Sequence, residues 1–171
     1  MRRSRQRHDP LKNLVGFLVG QVQYAVPIQV VREIINPLEA VPIPHGPKEV
    51  SGVADYRGNV VIVIDMRKRF GLSVTTLTRK TKWIVLQVND RLMAIVVDGV
   101  TDVFGTGGQD LRPAPDLGAG TEVRGIVGVT NYDSHLIFVL DVSRLRTLVD
   151  GLASPPQDPK LGPVPSTKAL P

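Results

Sequence analysis

The chain has no cysteine among its 171 residues and only three histidines, His8, His45 and His135, far apart in sequence. A disulfide framework, a thiolate metal site and a cysteine nucleophile are therefore excluded. Three histidines so far apart in sequence argue against a histidine-rich metal site. Aromatic residues are 5% of the chain. Trp83 has no second aromatic in its own stretch, so it reads as core rather than as a stacking platform for bases. No segment approaches the ~18 consecutive apolar residues of a membrane span. The basic N-terminus has no apolar stretch behind it and does not read as a secretory signal. The expected location is the cytoplasm, with no direct insertion into a membrane. What is present is a 42% hydrophobic share, enough for a real core and against wholesale disorder.

The net charge of +5 suggests nucleic acid until it is located. Residues 1–12 carry Arg2, Arg3, Arg5, Arg7 and Lys12 against Asp9, a net of +4. Residues 151–171 add +1, and residues 13–150 hold 14 basic and 14 acidic side chains. Nucleic-acid-binding domains carry their charge on the fold, as a patch or stripe; here it belongs to the ends, so no nucleic-acid partner is expected. The arginine run reads as a disordered, solvated tail. Attachment to acidic lipid or acidic protein is the alternative. Six prolines from Pro155 onward predict a second disordered tail over 151–171.

Between the tails the pattern is mostly strand. Residues 13–20, 22–28, 59–64, 83–88, 92–97, 125–130 and 135–140 are short runs rich in β-formers, separated by turn residues such as Gly20-Gln21 and Asn89-Asp90-Arg91. Three places read as helical: a turn over 28–35, a capped turn from Asp65 to Phe70, and Asp141–Val149 with Leu145, Leu148 and Val149 on one face. Tyr24–Ile35 aligns with Met93–Phe104, and Val60–Asp65 aligns with Leu136–Asp141. Each half reads as hairpin, acidic turn, long loop, hairpin and Asp-capped helix. The expectation is an all-β chain of two similar five-stranded barrels, roughly residues 13–78 and 79–150. Units that small have little core alone, so they should share an apolar seam.

Catalytic constellations are not found. Asp133-Ser134-His135 holds triad residue types, but adjacent in a turn rather than converging from separate elements. Gly105-Thr106-Gly107-Gly108 has no Gly-Lys-Ser/Thr after it and reads as a loop. Asp98 and Asp102 read as hairpin-end acids. Arg67-Lys68-Arg69 reads as the solvated end of the short helix, favoured by its dipole. No enzyme, cofactor or metal is expected. The segment 50–59 differs, because Arg57-Gly58-Asn59 forms a hairpin tip. An arginine there is placed for a two-point contact with a carboxylate.

Gly52-Val53, Asp55, Arg57-Gly58-Asn59-Val60-Val61, Val63-Ile64-Asp65-Met66-Arg67 and Phe70-Gly71 together resemble the signature of CheW, the adaptor of bacterial chemosensory arrays. Ala94–Val103 with Leu111-Arg112-Pro113-Ala114-Pro115 is similar to the family's second block, and Phe17–Val19, Tyr24–Ile28 and Val31–Ile34 to its opening. The resemblance runs from about Asn13 to Val149. It implies two packed SH3-like barrels without enzymatic activity, bridging the cytoplasmic tip of a chemoreceptor to the regulatory domain of a CheA-type histidine kinase. By resemblance Glu33 and Arg57 match a pair important for that coupling, and Val31, Gly52 and Val103 match positions sensitive in partner binding. Two departures stand out: Asp55-Tyr56 replaces the usual Asn-Leu, and Ile62 replaces a proline. Asp55 is thus a second acid beside Arg57. The alternative reading is a diverged scaffold of a surface-motility system, such as gliding of the Frizzy type, that binds only one of the two partners.

Overall fold

The computed structural model describes residues 13–105, 111–114 and 125–153. Its strands are β1 (Asn13–Val19), β2 (Val22–Pro27), β3 (Val31–Ile35), β4 (Val50–Tyr56), β5 (Asn59–Asp65), β6 (Lys82–Val88), β7 (Arg91–Val97), β8 (Gly99–Gly105), β9 (Ile126–Tyr132) and β10 (His135–Leu140). A 3-10 turn covers Ile28–Val30, and two helices, α1 (Met66–Arg69) and α2 (Val142–Ala153), follow β5 and β10. The strands form two five-stranded sheets, in the orders β8-β1-β2-β10-β9 and β3-β6-β7-β5-β4.

The two halves repeat in element order, yet they are not separate units. Hairpin β1–β2 belongs with β8, β9 and β10 of the second half, and hairpin β6–β7 with β3, β4 and β5 of the first. Each exchanged hairpin is joined by a parallel pairing, β2 to β10 through Tyr24 and Phe138, and β7 to β5 through Met93 and Ile62. The expectation that residues 13–78 and 79–150 each build their own five-stranded unit is therefore overturned. Local pattern is the same whether a hairpin pairs with its own half or the other, so only long-range pairing decides it.

This exchange explains the unbroken apolar runs. Along β5, Val61 and Val63 enter a cluster with Trp83, Val85 and Ala94 inside one sheet's own barrel. Ile64 points the other way, into a larger cluster with Ile84, Leu86, Met93 and Ile95 that also takes Val15, Phe17, Tyr24 and Val26 from the other sheet. A third cluster, Leu14, Ala25, Phe104, Ile137 and Val139, fills the second barrel. Successive side chains of a strand point to opposite faces. A strand buried on both faces therefore reads as a continuous run. The large cluster is the shared seam, and Tyr24 stacks there on Phe70 beside α1, with centroids 4.5 Å apart.

Both helices start at an aspartate that closes the preceding strand. Asp65 Oδ1 accepts from the Arg67 backbone N–H at 2.9 Å, and Asp141 Oδ1 from that of Ser143 at 2.9 Å. A carboxylate satisfying the free N–H groups of the first turn is a standard helix start. Three local expectations are corrected. The helical turn over 28–35 ends at Val30, and Val31–Ile35 is a strand along β6, as its β-branched residues favour. Helix α2 runs to Ala153, into the segment expected to be a tail; the first proline is Pro155, and nothing before it forbids helix. Asp102 lies within β8, not at a hairpin end. The tail over 1–12, most of the tail over 151–171, the loop at 106–108 and the side chains of Leu148 and Val149 lie outside the described residues.

Candidate functional site

Arg57 and Gly58 form the two-residue turn between β4 and β5, with φ of +50° and +81°. Positive φ at both turn residues gives a twist that matches the flanking strands. Asp55 closes the turn by accepting the Gly58 backbone N–H on Oδ1 at 2.8 Å. That acid is therefore occupied locally, and Arg57 turns to Glu33 of β3. Nη2 donates to Oε1 at 2.8 Å and Nε to Oε2 at 3.1 Å. The Tyr56 hydroxyl also donates to Glu33 Oε2. The Arg57 guanidinium lies 5.7 Å from the centroid of the Tyr56 ring.

The position of this cluster follows from the topology. Strands β3 and β4 are the two edges of one sheet. The Tyr56–Glu33 contact joins those edges, a clasp that helps close the sheet on itself. Tyr56 is buried within the barrel core, while the Arg57 side chain is 70% exposed and that of Glu33 34%. The Tyr56 hydroxyl, then the Arg57 guanidinium, hold the Glu33 carboxyl below the usual carboxylate range. The same contact pushes the Tyr56 phenol above its ordinary value and holds Arg57 more firmly protonated. The result is a planar cation on a rigid tip, beside Val60, which is 76% exposed.

The other residues singled out by sequence do different jobs. Val31, at the start of β3, is half-buried against the shared seam. Gly52 in β4 has φ +151°, and a Cβ there would stand 2.1 Å from the Val41 carbonyl oxygen. Val41 pairs with Val53 through two backbone hydrogen bonds, 2.7 and 2.9 Å. Only glycine admits this close approach. Val103 belongs to β8 in the other sheet, partly exposed and paired with Val15. Glu33, Tyr56 and Arg57 therefore come together, while Val31, Gly52 and Val103 are not part of that cluster. Sequence reasoning did not give Tyr56 a role; its signal was a tyrosine spaced from Tyr132 by the same interval that aligns β5 with β10.

Arg67 was also missed, having been read as a solvated helix end. Its Nε donates to both oxygens of Asp98, at 2.9 and 3.0 Å, and Asp98 Oδ2 accepts the Gly20 backbone N–H at 2.6 Å. This carboxylate ties α1, the link between β7 and β8, and the turn between β1 and β2. Asp133 and Ser134 form a two-residue turn with φ of +48° and +61°, so Asp133-Ser134-His135 is a hairpin tip. Among the described residues, no group of three or more histidines and acids is placed to hold a metal ion, and no helix is long and apolar enough to cross a membrane.

A family model for the CheW-like domain matches residues 13–149. The chain belongs to the CheW-like domain family. It is 32% identical over 131 residues to the chemotaxis protein CheW of Rhizobium meliloti (strain 1021), covering 77% of this chain and 84% of that protein. It is 30% identical over 142 residues to the chemotaxis protein CheW of Klebsiella aerogenes, covering 80% and 86%. The crystal structure of the scaffolding protein TtCheW from Thermoanaerobacter tengcongensis shares the fold, with a TM-score of 0.71, 22% identity, and coverage of 82% of this chain and 91% of that one. The two five-stranded sheets are thus the paired SH3-like barrels of the family.

Proposed function

We propose that this protein is a non-enzymatic chemotaxis adaptor that couples the cytoplasmic tip of a chemoreceptor to the regulatory domain of a CheA-type histidine kinase. Family membership supports the chemotaxis coupling role. The observation that carries the site is the Arg57 guanidinium, displayed on a rigid turn and oriented by the two-point contact with Glu33. With one edge of the guanidinium held by Glu33, its remaining N–H groups are presented in a fixed direction to an acceptor on a partner. Arg57 and Glu33 are the proposed contact pair, with Val60 as exposed apolar surface beside them. Val31 and Gly52 act by shaping β3 and β4. Val103 offers a separate contact on the other barrel.

The test is calorimetric binding of a receptor cytoplasmic fragment and of the kinase regulatory domain, alongside thermal unfolding. Arg57→Ala should weaken binding to at least one partner tenfold or more, as truncating a central interface arginine does, with little change in melting temperature. Arg57→Lys should restore it only in part, since lysine cannot make the planar two-point contact. Unchanged affinity with a large fall in stability would make Arg57 a structural residue. Binding to one partner only in the wild type would favour the one-partner scaffold.

A further inference from the structure

Of the five N–H groups of the Arg57 guanidinium, Nε–H and one of the two on Nη2 go to Glu33. The second on Nη2 and both on Nη1 meet no acceptor among the described residues. Two of these run parallel along the far edge of the plane, spaced for the two oxygens of a second carboxylate. The Glu33 carboxylate is engaged more fully. Oε1 accepts from Nη2, while Oε2 takes Nε and the Tyr56 hydroxyl together. An exposed ion pair by itself is weak and opens readily. Tyr56 acts on both members of this one, because its hydroxyl pins the acid and its ring faces the guanidinium. The second barrel separates the tyrosine contact from the ion pair. Asp102 is the counterpart of Glu33 in the alignment of Tyr24–Ile35 with Met93–Phe104, and Tyr132 and Asp133 are those of Tyr56 and Arg57 at the interval that aligns β5 with β10. The Tyr132 hydroxyl donates to Asp102 Oδ2 at 2.9 Å, joining β8 to β9, the two edges of their sheet. It does so with an acid at the place of Arg57. The tyrosine therefore fixes the acid across the sheet edges whether or not an arginine follows it. In the first barrel Tyr56 decides where Glu33 stands, and Arg57 lines up on it.

We propose that Tyr56 is the specificity-determining residue of this tip: by holding Glu33 to Arg57 it makes the tip a site for a partner's carboxylate and closes it to a partner's lysine or arginine. The proposal rests on the reading of Arg57 as a partner contact. A carboxylate that approaches finds an N–H edge already aimed. A cation that approaches Glu33 meets Arg57 first, like charge against like charge, and finds Oε2 already taken by two donors. Asp55 offers no substitute, being turned to the Gly58 N–H of its own turn. With the hydroxyl removed, Glu33 is held by the exposed pair alone. It then swings from Arg57 to a partner's cation, and the tip loses its preference for one sign of charge.

A charge-swap series decides it. A receptor cytoplasmic fragment and a kinase regulatory domain, with their surface acids changed to lysine one at a time, are bound by calorimetry to the full chain. The chain is used as wild type, Arg57→Ala, Tyr56→Phe, and Tyr56→Phe with Glu33→Gln. Tyr56→Phe keeps the buried ring and removes only the hydroxyl. One partner acid should matter to the wild type and not to Arg57→Ala, and its lysine form should bind the wild type about tenfold more weakly or worse. Tyr56→Phe should narrow the gap between the acid and lysine forms to about threefold or less. Adding Glu33→Gln should open the gap again, because the carboxylate that took the lysine is gone. A merely structural role for the hydroxyl would weaken both forms equally and leave the gap as it was. That result overturns the proposal, as does a series in which no partner acid pairs with Arg57. If Arg57→Ala binds both unmodified partners as the wild type does, the contact role of Arg57 fails together with the proposal, so the two failures are told apart.

Discussion

Replacing Gly52 with alanine puts a Cβ 2.1 Å from the Val41 carbonyl oxygen. The obstacle is backbone, so no side-chain rotation relieves it. The φ of +151° adds strain of about 1–3 kcal/mol for a residue with a side chain. Separating the strands would also weaken the two backbone hydrogen bonds between Val41 and Val53, each with a net contribution of ~0.5–1.5 kcal/mol. A loss near ~3 kcal/mol is expected, which lowers the melting temperature by about 6–12 °C for a chain of this size. Gly58→Ala is the control. Gly58 also has positive φ, but an added Cβ meets nothing within 4 Å, so only the left-handed backbone cost of ~1–2 kcal/mol applies. Thermal unfolding by circular dichroism compares the two, and hydrogen exchange reports on the Val41 and Val53 amides. The reasoning is refuted if Gly52→Ala melts no lower than Gly58→Ala and both amides stay as protected as in the wild type. A role of Gly52 in partner binding, as proposed, would then need a direct contact.

Two other perturbations test the electrostatics. Asp98→Asn weakens the bond from the Arg67 Nε–H, shared between both carboxylate oxygens, and the contact with the Gly20 N–H; hydrogen bonds to a charged group are worth ~1.5–3 kcal/mol, so ~1–2 kcal/mol should be lost while an amide oxygen remains, with faster exchange at Gly20. An unchanged Gly20 amide would show that the carboxylate is not the tie. The Glu33 carboxyl is held below its ordinary value, so its stabilising effect is complete above the unfolded value of about 4.3 and is lost as pH falls through the folded value. The difference in urea stability between wild type and Glu33→Gln should therefore shrink as pH falls below about 4, and a gap that stays constant to pH 2 would contradict the clasp.

Much of the fold is legible in the chain itself because its causes are local. Short β-branched runs, turn residues at close intervals and the helix-starting aspartates Asp65 and Asp141 act within a few positions of themselves. They define hairpins and helix starts without reference to the rest of the chain. The tip at Arg57-Gly58 is legible for the same reason. The strand Val31–Ile35 and the strand around Asp102 were harder to read. Each is an edge strand with exposed polar residues, and it is defined by pairing with β6 or β1 rather than by its own pattern.

The chain by itself determined that two similar sets of strands exist, that both faces of several strands are apolar, and that chemistry by cysteine is excluded. Residue types and intervals carry that information directly. Only the tertiary structure decided which hairpin joins which sheet, since β1–β2 and β6–β7 pair across the repeat and the period of two is indifferent to the partner. It also decided that Glu33, rather than the nearer Asp55, takes Arg57. Asp55 is drawn to the Gly58 N–H within its own turn, and closing the sheet brings β3 against β4 from opposite ends. Tyr56 and Tyr132 gain their roles in the same way, because a hydroxyl can join two sheet edges only after five strands have curled to bring those edges together.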